Sequence, residues 1–510
     1  MVANLIGALT IKSYSFKARS WEFINFNSID FFDSMASNIK IEVRGHKILR
    51  VLPRQNDLIN DNWITDKARF ALDSLYNQRL TSLIRKTSLN LSQSVSFSKF
   101  IQYTSLEIFF FFFLKKHSTR LTNEIFGLTD SLITTEVIIF FKDLLTKLGS
   151  QNLIPSLFNS SISPKNLIRS TFIFNNNFSK ILSSELYFFI GLNPRLESPI
   201  LNLKLRKIFL KNNAKFFSFT PINNPNFEIQ LLGNNIKAFL DFCEGRHPFL
   251  VDLFAYNSYT FLAGNSLLHR KDYDLIMSLF LKLQNILPKF SFYFVYNKLT
   301  SLSILEYGFI PSKFSNKQEQ QNISSGSSLF FNLNTSNFIN SSVNLPLLYS
   351  DWARKDVSIF FGSFGVEALK SYDYLFPLAN ILETGGSFTN LLGLKDIVPP
   401  IITPLNGVYS FYAFYSVLLN YCAKFRSSVL LLSKEYPDPV IRLRQLGISD
   451  VLMQDVSSDF STPPLCGILS NNLINSFYVN SFNMDEYSSN SLSMHKAKKN
   501  YLSLYSSLYF

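Results

Sequence analysis

Apolar and polar positions alternate from Ile39 to Val43, break at Arg44-Gly45-His46, and resume from Ile48 to Leu52. An alternating run, a short glycine turn and a second run predict a β-hairpin. Pro53 ends it, because proline cannot donate to a strand ladder. Asn60 or Asp61 then stands where a helix cap belongs, ahead of Trp63, Ala68, Leu72, Leu75 and Tyr76. Residues 1–85 are therefore expected to form a small β-rich domain with a helical exit.

Beyond it the period changes. Ile133, Val137, Phe141, Leu144, Leu145 and Leu148 fall on one helical face that Gly149 stops. Leu186 to Ile190 is wholly apolar, as a strand covered on both faces should be. Gly191 breaks that strand, and Ser198 with Pro199 supplies a cap and a first-turn residue. The helix they open carries Leu201, Leu205 and Ile208, and Phe216 to Phe219 follows as the next strand. This βαβ order implies parallel neighbours. The alternation recurs in Tyr259–Leu262, a helix over Tyr273–Leu287 and Phe292–Val295. Residues 312–328 and 334–344, rich in Ser, Asn and Gln, bracket the apolar Leu329–Leu333 and are expected to be surface loops. Residues 86–400 are thus assigned to an α/β region, and 401–510 to a C-terminal helical region. Residues 486–510 are expected to be an extended or partly ordered tail.

Composition narrows the class. At 47% hydrophobic and 17% charged, the chain has the composition of a folded protein. Its longest suggestive apolar run, Ile108 to Leu114, is closed by Lys115 and Lys116. It is shorter than the roughly 20 residues that span a bilayer, so a buried strand or short helix is expected there and no transmembrane segment. The net charge of +13 is scattered along the chain. A nucleic-acid-binding protein would concentrate it with aromatics, so the excess is assigned to solubility and acidic neighbours. The 53 Phe, with abundant Leu, Ile, Asn, Lys and Tyr and scarce Gly and Ala, suit an A/T-rich organelle genome.

Candidate chemistry is thin. Cys243, Cys422 and Cys466 lie too far apart for a disulfide framework or a zinc knuckle. Gly191-Leu192-Asn193-Pro194-Arg195 follows a buried strand and precedes a helix, where phosphates bind in α/β folds; it lacks a GxGxxG or Walker spacing, and a plain βα turn explains it equally. Cys243, Glu244 and His247 could form a thiolate–imidazole pair or half a metal site, but a capped helix end before Pro248 accounts for them. His46, His117, His269 and His495 are isolated, and no carboxylate pairs with Glu383 as acid and base. No catalytic, cofactor-binding or metal residue is assigned.

Gly7-Ala8-Leu9-Thr10, with Tyr14, Phe16, Arg19, Trp21 and Glu22, is similar to the stretch after the last cluster cysteine in the large iron–sulfur subunits of respiratory complex I. Lys12, Lys17 and Arg19 give this segment a transit-peptide-like composition, but the motif favours mature sequence. The resemblance continues through Arg50-Val51-Leu52-Pro53-Arg54, Trp63-Ile64, Arg69-Phe70, Gln78-Arg79-Leu80, Asn193-Pro194-Arg195-Leu196-Glu197, His247-Pro248-Phe249 and Phe388-Thr389-Asn390. It covers nearly the whole chain, and is thin over 83–125 and 310–345. Phe477-Tyr478 and Ser488 to Lys496 resemble the C-terminal end.

This resemblance implies an α/β, molybdopterin-oxidoreductase (formate dehydrogenase)-like fold, with a small N-terminal β-rich domain and Rossmann-like parallel sheets. In such oxidoreductases four cysteines of the small domain hold a cluster; the corresponding positions here are Asp30, Asp33, Ser37 and Thr65. Oxygen side chains are poor substitutes for thiolates around iron, and Asn4 stands where the complex I motif has its last cluster cysteine. The expectation is a chain that binds no cofactor, with the iron–sulfur clusters on a separate partner chain, a cluster-bearing N-terminal fragment of a split subunit. The other expected partners are complex I subunits, on the matrix side of the mitochondrial inner membrane, with organellar encoding. The rivals are an active molybdopterin-dependent oxidoreductase, which would need the missing ligands, and a basic organellar nucleic-acid-binding protein.

Overall fold

A computed structural model describes residues 14–86, 92–117, 124–129, 132–148, 150, 152–155, 169–174, 178–212, 214–222, 226–250, 256–268, 270, 272–286, 290–307, 328–333, 357–365, 372–426 and 485–508. The hairpin predicted from alternation is present. Strands β1 (Ile24–Ile29), β2 (Asn38–Arg44) and β3 (Lys47–Pro53) form an antiparallel sheet. Ile41 pairs with Val51, and Gly45 turns the hairpin at φ +59°, a conformation that favours glycine. The buried side chains Ile29, Ile39, Ile41, Val43 and Val51 share one core with Ala68, Leu72 and Leu75.

The helical exit begins later than expected. Helix α1 spans Asp66–Phe70, and its cap is Thr65, whose hydroxyl accepts from Ala68 N, in place of Asn60 or Asp61. A 3-10 segment, Ala71–Tyr76, continues it, and Trp63 stays outside and exposed. Asn60 is occupied otherwise: its amide reaches the carbonyl oxygens of Arg54 and Trp63 and tightens the loop after β3.

A seven-stranded sheet comes from two stretches of chain. The first supplies β4 (Ile84–Lys86), β5 (Ser92–Ser94), helix α2 (Phe97–His117), β6 (Glu124–Thr129), α3 (Thr135–Lys147) and β7 (Asn152–Pro155). The apolar run 108–114 lies within α2, and among the described residues no helix is long and apolar enough to cross a membrane. On α3, Phe141, Leu144 and Leu145 of the expected face are buried, with Ile138 beside them, whereas Val137 and Leu148 are half-buried; Gly149 lies outside the described residues.

The chain then builds a separate sheet before returning. Strands β8 (Leu186–Ile190), β9 (Lys215–Ser218), β10 (Gln230–Leu231), β11 (Tyr259–Ala263) and β12 (Phe290–Phe294) form an all-parallel sheet, ordered β10-β9-β8-β11-β12. Helix α4 (Pro199–Asn212) joins β8 to β9, α5 (Ile236–Cys243) follows β10, and α6 (Tyr273–Ile286) joins β11 to β12. Every residue of β8 and β11 is buried, which explains the unbroken apolar runs: helices cover both faces. Phe188 stacks on Phe261 at 4.4 Å and on Phe217 at 5.5 Å, so rings line one face across three strands. Burial of each ring stabilises by about 1.5–3 kcal/mol.

On its return the chain adds β13 (Ser328–Leu333), β14 (Val357–Gly362) and β15 (Tyr374–Pro377), completing the order β5-β4-β15-β14-β13-β6-β7. Leu329–Leu333, read only as an apolar stretch between loops, is an inner strand, parallel to both β6 and β14. The flanking loops lie outside the described residues. A small hairpin, β16 (Gly386–Thr389) and β17 (Lys395–Val398), precedes helix α7 (Phe411–Arg426).

The expected tail is helical. Helices α8 (Glu486–Asn490) and α9 (Leu492–Leu508) return to the small sheet. Tyr487 is 1% exposed, with its ring 5.7 Å from Phe31 and 5.6 Å from Phe32. Lys67 reaches Asp485 at 3.7 Å, and Ser493 N donates to Asp73 at 3.1 Å.

Candidate functional site: a buried carboxyl loop

The link from β1 to β2 is buried throughout, from Asp30 to Ser37. Asp30 N donates to Ser37 O at 2.8 Å and closes the loop. Ala36, at φ +54°, makes its reversal. Each aspartate holds the turn that follows it: Asp30 Oδ1 accepts from Phe32 N at 2.9 Å, and Asp33 Oδ1 from Met35 N at 3.3 Å. Such Asx turns explain aspartate at these two positions in local terms.

The outward contacts come from elsewhere in the chain. Thr65 donates its hydroxyl to Asp30 Oδ2 at 2.6 Å while capping α1. Ser198 Oγ donates to Asp33 Oδ1 at 3.1 Å, and the backbone of Ile200 also hydrogen-bonds this carboxyl. Asp33 thus satisfies the first turn of α4, a helix of the five-stranded sheet, where orphan N–H groups welcome a negative charge. The hydroxyl of Ser198, the cap expected for α4, is instead a donor to Asp33. Ser34 O accepts from Leu391 N at 3.0 Å, which ties in the β16–β17 hairpin.

The electrostatics are those of a dry site. Burial, then the neighbouring Asp33, pushes Asp30 up to about 7. Burial pushes Asp33 up to about 6. The Lys67 charge opposes both shifts weakly. Asp33 Oδ2, Ser34 Oγ and Ser37 Oγ are buried without a hydrogen-bond partner in the protein. The structure therefore brings together the four positions singled out by resemblance, Asp30, Asp33, Ser37 and Thr65. No sequence signal points to Ser198 as their fifth member, because it lies 165 residues from Asp33.

The other candidates separate. Cys243 ends α5, and burial, with the Glu244 charge, raises its thiol far above the thiolate range. His247 Nδ1 accepts from Phe249 N at 3.2 Å, and its ring lies beside Phe219 and Phe242. These are the contacts of a helix end and not of an activated nucleophile. Glu383 forms a bidentate pair with Arg79, at 3.1 and 2.9 Å, and completes a capping box with Asn380. Among the described residues no group of three or more His, Cys, Asp or Glu side chains is placed to hold a metal ion. Asn4, Gly7–Thr10, Cys466 and Phe477-Tyr478 lie outside the described residues, as does the side chain of Cys422.

The fold sets an all-parallel five-stranded sheet and a seven-stranded sheet, parallel except at its β4–β5 edge, beside a small antiparallel domain. Residues 110–405, more than half of the chain, match the family model for molybdopterin oxidoreductase, and the chain belongs to that family. Residues 24–73 match the model described as NADH-ubiquinone oxidoreductase NDSU1/NuoG-like, 4Fe-4S domain. Among curated relatives, the chain is similar to the NADH-ubiquinone oxidoreductase 75 kDa subunit of Reclinomonas americana, 37% identical over 54% of this chain and 40% of that one. It is also similar to the mitochondrial NADH dehydrogenase iron-sulfur protein 1 of Solanum tuberosum, 32% identical over 54% of this chain and 36% of that one. The 78 kDa mitochondrial subunit of Candida albicans is 36% identical over 46% of this chain and 31% of its own length. The matches thus span between 31% and 40% of these relatives' lengths.

These matches correct one expectation. The sequence reading has the chain bind no cofactor and leave its clusters to a separate chain. The match of 24–73 to a 4Fe-4S domain points instead to an iron–sulfur cluster bound by this chain itself. The side chains of this loop do not fit a four-thiolate cluster: 24–73 contains no cysteine, and two of the four aspartate oxygens already accept hydrogen bonds from Phe32 and Thr65, and a third from Met35 and Ser198. Domain family and donor set disagree at this loop.

Proposed function

We propose that this chain is a structural subunit of the matrix arm of mitochondrial complex I, supporting electron transfer from NADH to ubiquinone by the assembly and supplying no catalytic side chain of its own. The observation that carries this reading is the use made of the carboxyl loop. Asp30 and Asp33, at the heart of the small domain, spend their hydrogen bonds on α1 and on the start of α4. The aromatic ring of Tyr487 seals the same loop from the C-terminal helices. The polar groups thus join the small sheet to its neighbours, which is the work of a scaffold. The names of the relatives support the assembly and the mitochondrion, and the A/T-type composition supports organellar encoding.

Large apolar side chains are exposed on the small domain. Phe16, Trp21 and Ile24 are 83%, 78% and 60% exposed and lie close in sequence, beside Lys17 and Arg19. Large apolar side chains left in water this close in sequence support a covered surface here. We propose another complex I polypeptide there, in the split-subunit reading a separate piece of the same subunit.

The test is native electrophoresis of detergent-extracted respiratory complexes, with mass spectrometry of the band that oxidises NADH. The chain should be present at the stoichiometry of the other subunits. Its absence from an active band would sink the assignment. Cross-linking through Lys17 tests the face, and cross-links confined to proteins outside complex I would rule it out.

A further inference from the structure

In the five-stranded sheet the chain order reverses between β8 and β11, which pair in parallel with Ile190 opposite Ala263. Connections leave these two strand ends in opposite directions. The crevice so formed is where open parallel sheets receive anionic ligands, on backbone N–H groups. Gly191 takes φ +60° at the end of β8. At the end of β11, a Cβ on Gly264 would lie 2.1 Å from Gly191 O. The two glycines let the strand ends approach.

The crevice is filled from within. Glu197 closes the helical turn Pro194–Glu197 and is 6% exposed. Its Oε1 accepts from Asn193 N at 3.0 Å, and the backbone of Asn265 also hydrogen-bonds its carboxyl. One N–H from each strand-end loop therefore converges on a single carboxyl group, as such groups would on phosphate oxygens. Around it, Asn193 Oδ1 and Nδ2, Asn265 Oδ1 and Glu197 Oε2 are buried with no hydrogen-bond partner in the protein. Asn193 is only 1% exposed. A buried unpaired polar atom costs about 1–3 kcal/mol, so this concentration marks a place shaped for polar ligand atoms and not for packing.

We infer that the Glu197 carboxyl is an internal occupant of the switch-point anion position, holding it closed to phosphate-bearing ligands. A carboxyl matches a phosphate in placing an oxygen before both N–H groups, and its side chain is tethered four residues from the loop it fills. The inference is independent of the complex I assignment, because it concerns only what these strand ends bind.

The test uses the full chain and inorganic pyrophosphate as probe, followed by isothermal titration calorimetry, with the fold checked by circular dichroism. Glu197→Ala removes the occupant and should bind pyrophosphate at least about tenfold more tightly than the wild type. Glu197→Gln keeps an oxygen that accepts from both N–H groups and should behave like the wild type. A folded Glu197→Ala chain with no gain overturns the inference, as does an equal gain in Glu197→Gln or equal binding by the wild type. If the alanine variant fails to fold, Glu197→Ser takes its place. Serine vacates the anion position while leaving a hydroxyl for water-bridged contact to Asn193.

Discussion

Removing Arg79 tests the joint between the small domain and the body of the molecule. Its guanidinium grips Glu383 with Nη1 and Nη2 at 3.1 and 2.9 Å, and both side chains are 4% exposed. Glu383 Oε2 also accepts from Asn380 N at 2.8 Å, and the guanidinium carbon lies 5.9 Å from the Phe364 ring centre. Arg79→Met keeps apolar bulk but strands a carboxylate in a dry site, and breaking a buried pair in this way costs about 3–5 kcal/mol. Glu383→Met strands the cation instead and loses the cap, worth a further ~1 kcal/mol. Replacing both by Met removes the two charges together. Two desolvated ions replaced by apolar volume are often neutral, so the double variant should fall well short of the summed losses. Urea unfolding followed by far-ultraviolet circular dichroism measures all four chains. An Arg79→Met chain within about 1 kcal/mol of the wild type, or a double variant equal to the sum of the singles, would show that this buried pair does not hold the joint.

Three buried carboxyls make stability depend on pH. Burial raises Asp30 to about 7, Asp33 to about 6 and Glu197 to about 8, from ordinary values of 3.8, 3.8 and 4.5. The folded chain therefore holds protons that the unfolded chain releases, and this stabilisation is full below the ordinary values and is lost as pH rises to about 8. The urea midpoint should fall across that window, and less steeply in Asp30→Asn; a slope unchanged by that substitution would count against the shift. Tyr487→Ala should cost about 3–5 kcal/mol of local docking and speed amide exchange in α8 and α9 while β8 and β11 stay protected. Equal exchange in the variant and the wild type would show that the ring does not anchor the helices. Gly191→Val puts a β-branched residue at φ +60°, at a cost of about 1–3 kcal/mol. Fewer assembled complexes with normal turnover per complex are expected, and the converse would place function in the loop.

Much of the local structure was legible in the sequence. Alternation gave the Ile39–Leu52 hairpin, unbroken apolar runs gave β8 and β11, and Gly191 marked the turn between β8 and α4. Each of these depends on residues a few positions apart, where backbone sterics and periodicity decide. The four loop positions come from resemblance, and the fold brings them together through Thr65, 35 residues from Asp30. What the chain itself could not declare was long-range pairing. Glu383 offers no acid–base pair in the sequence, and its ion-pair partner Arg79 is 304 residues away. Ser198 read as a cap, although it donates to an aspartate 165 residues earlier. Leu329–Leu333 became an inner strand only because β6 and β14 flank it. The segment 486–510 looked like a tail for a related reason. Its polar helices are held by Tyr487 and Met494 entering a core that the small sheet supplies. Local pattern selects the element, whereas topology selects its partners, and the buried charges are satisfied only by those partners.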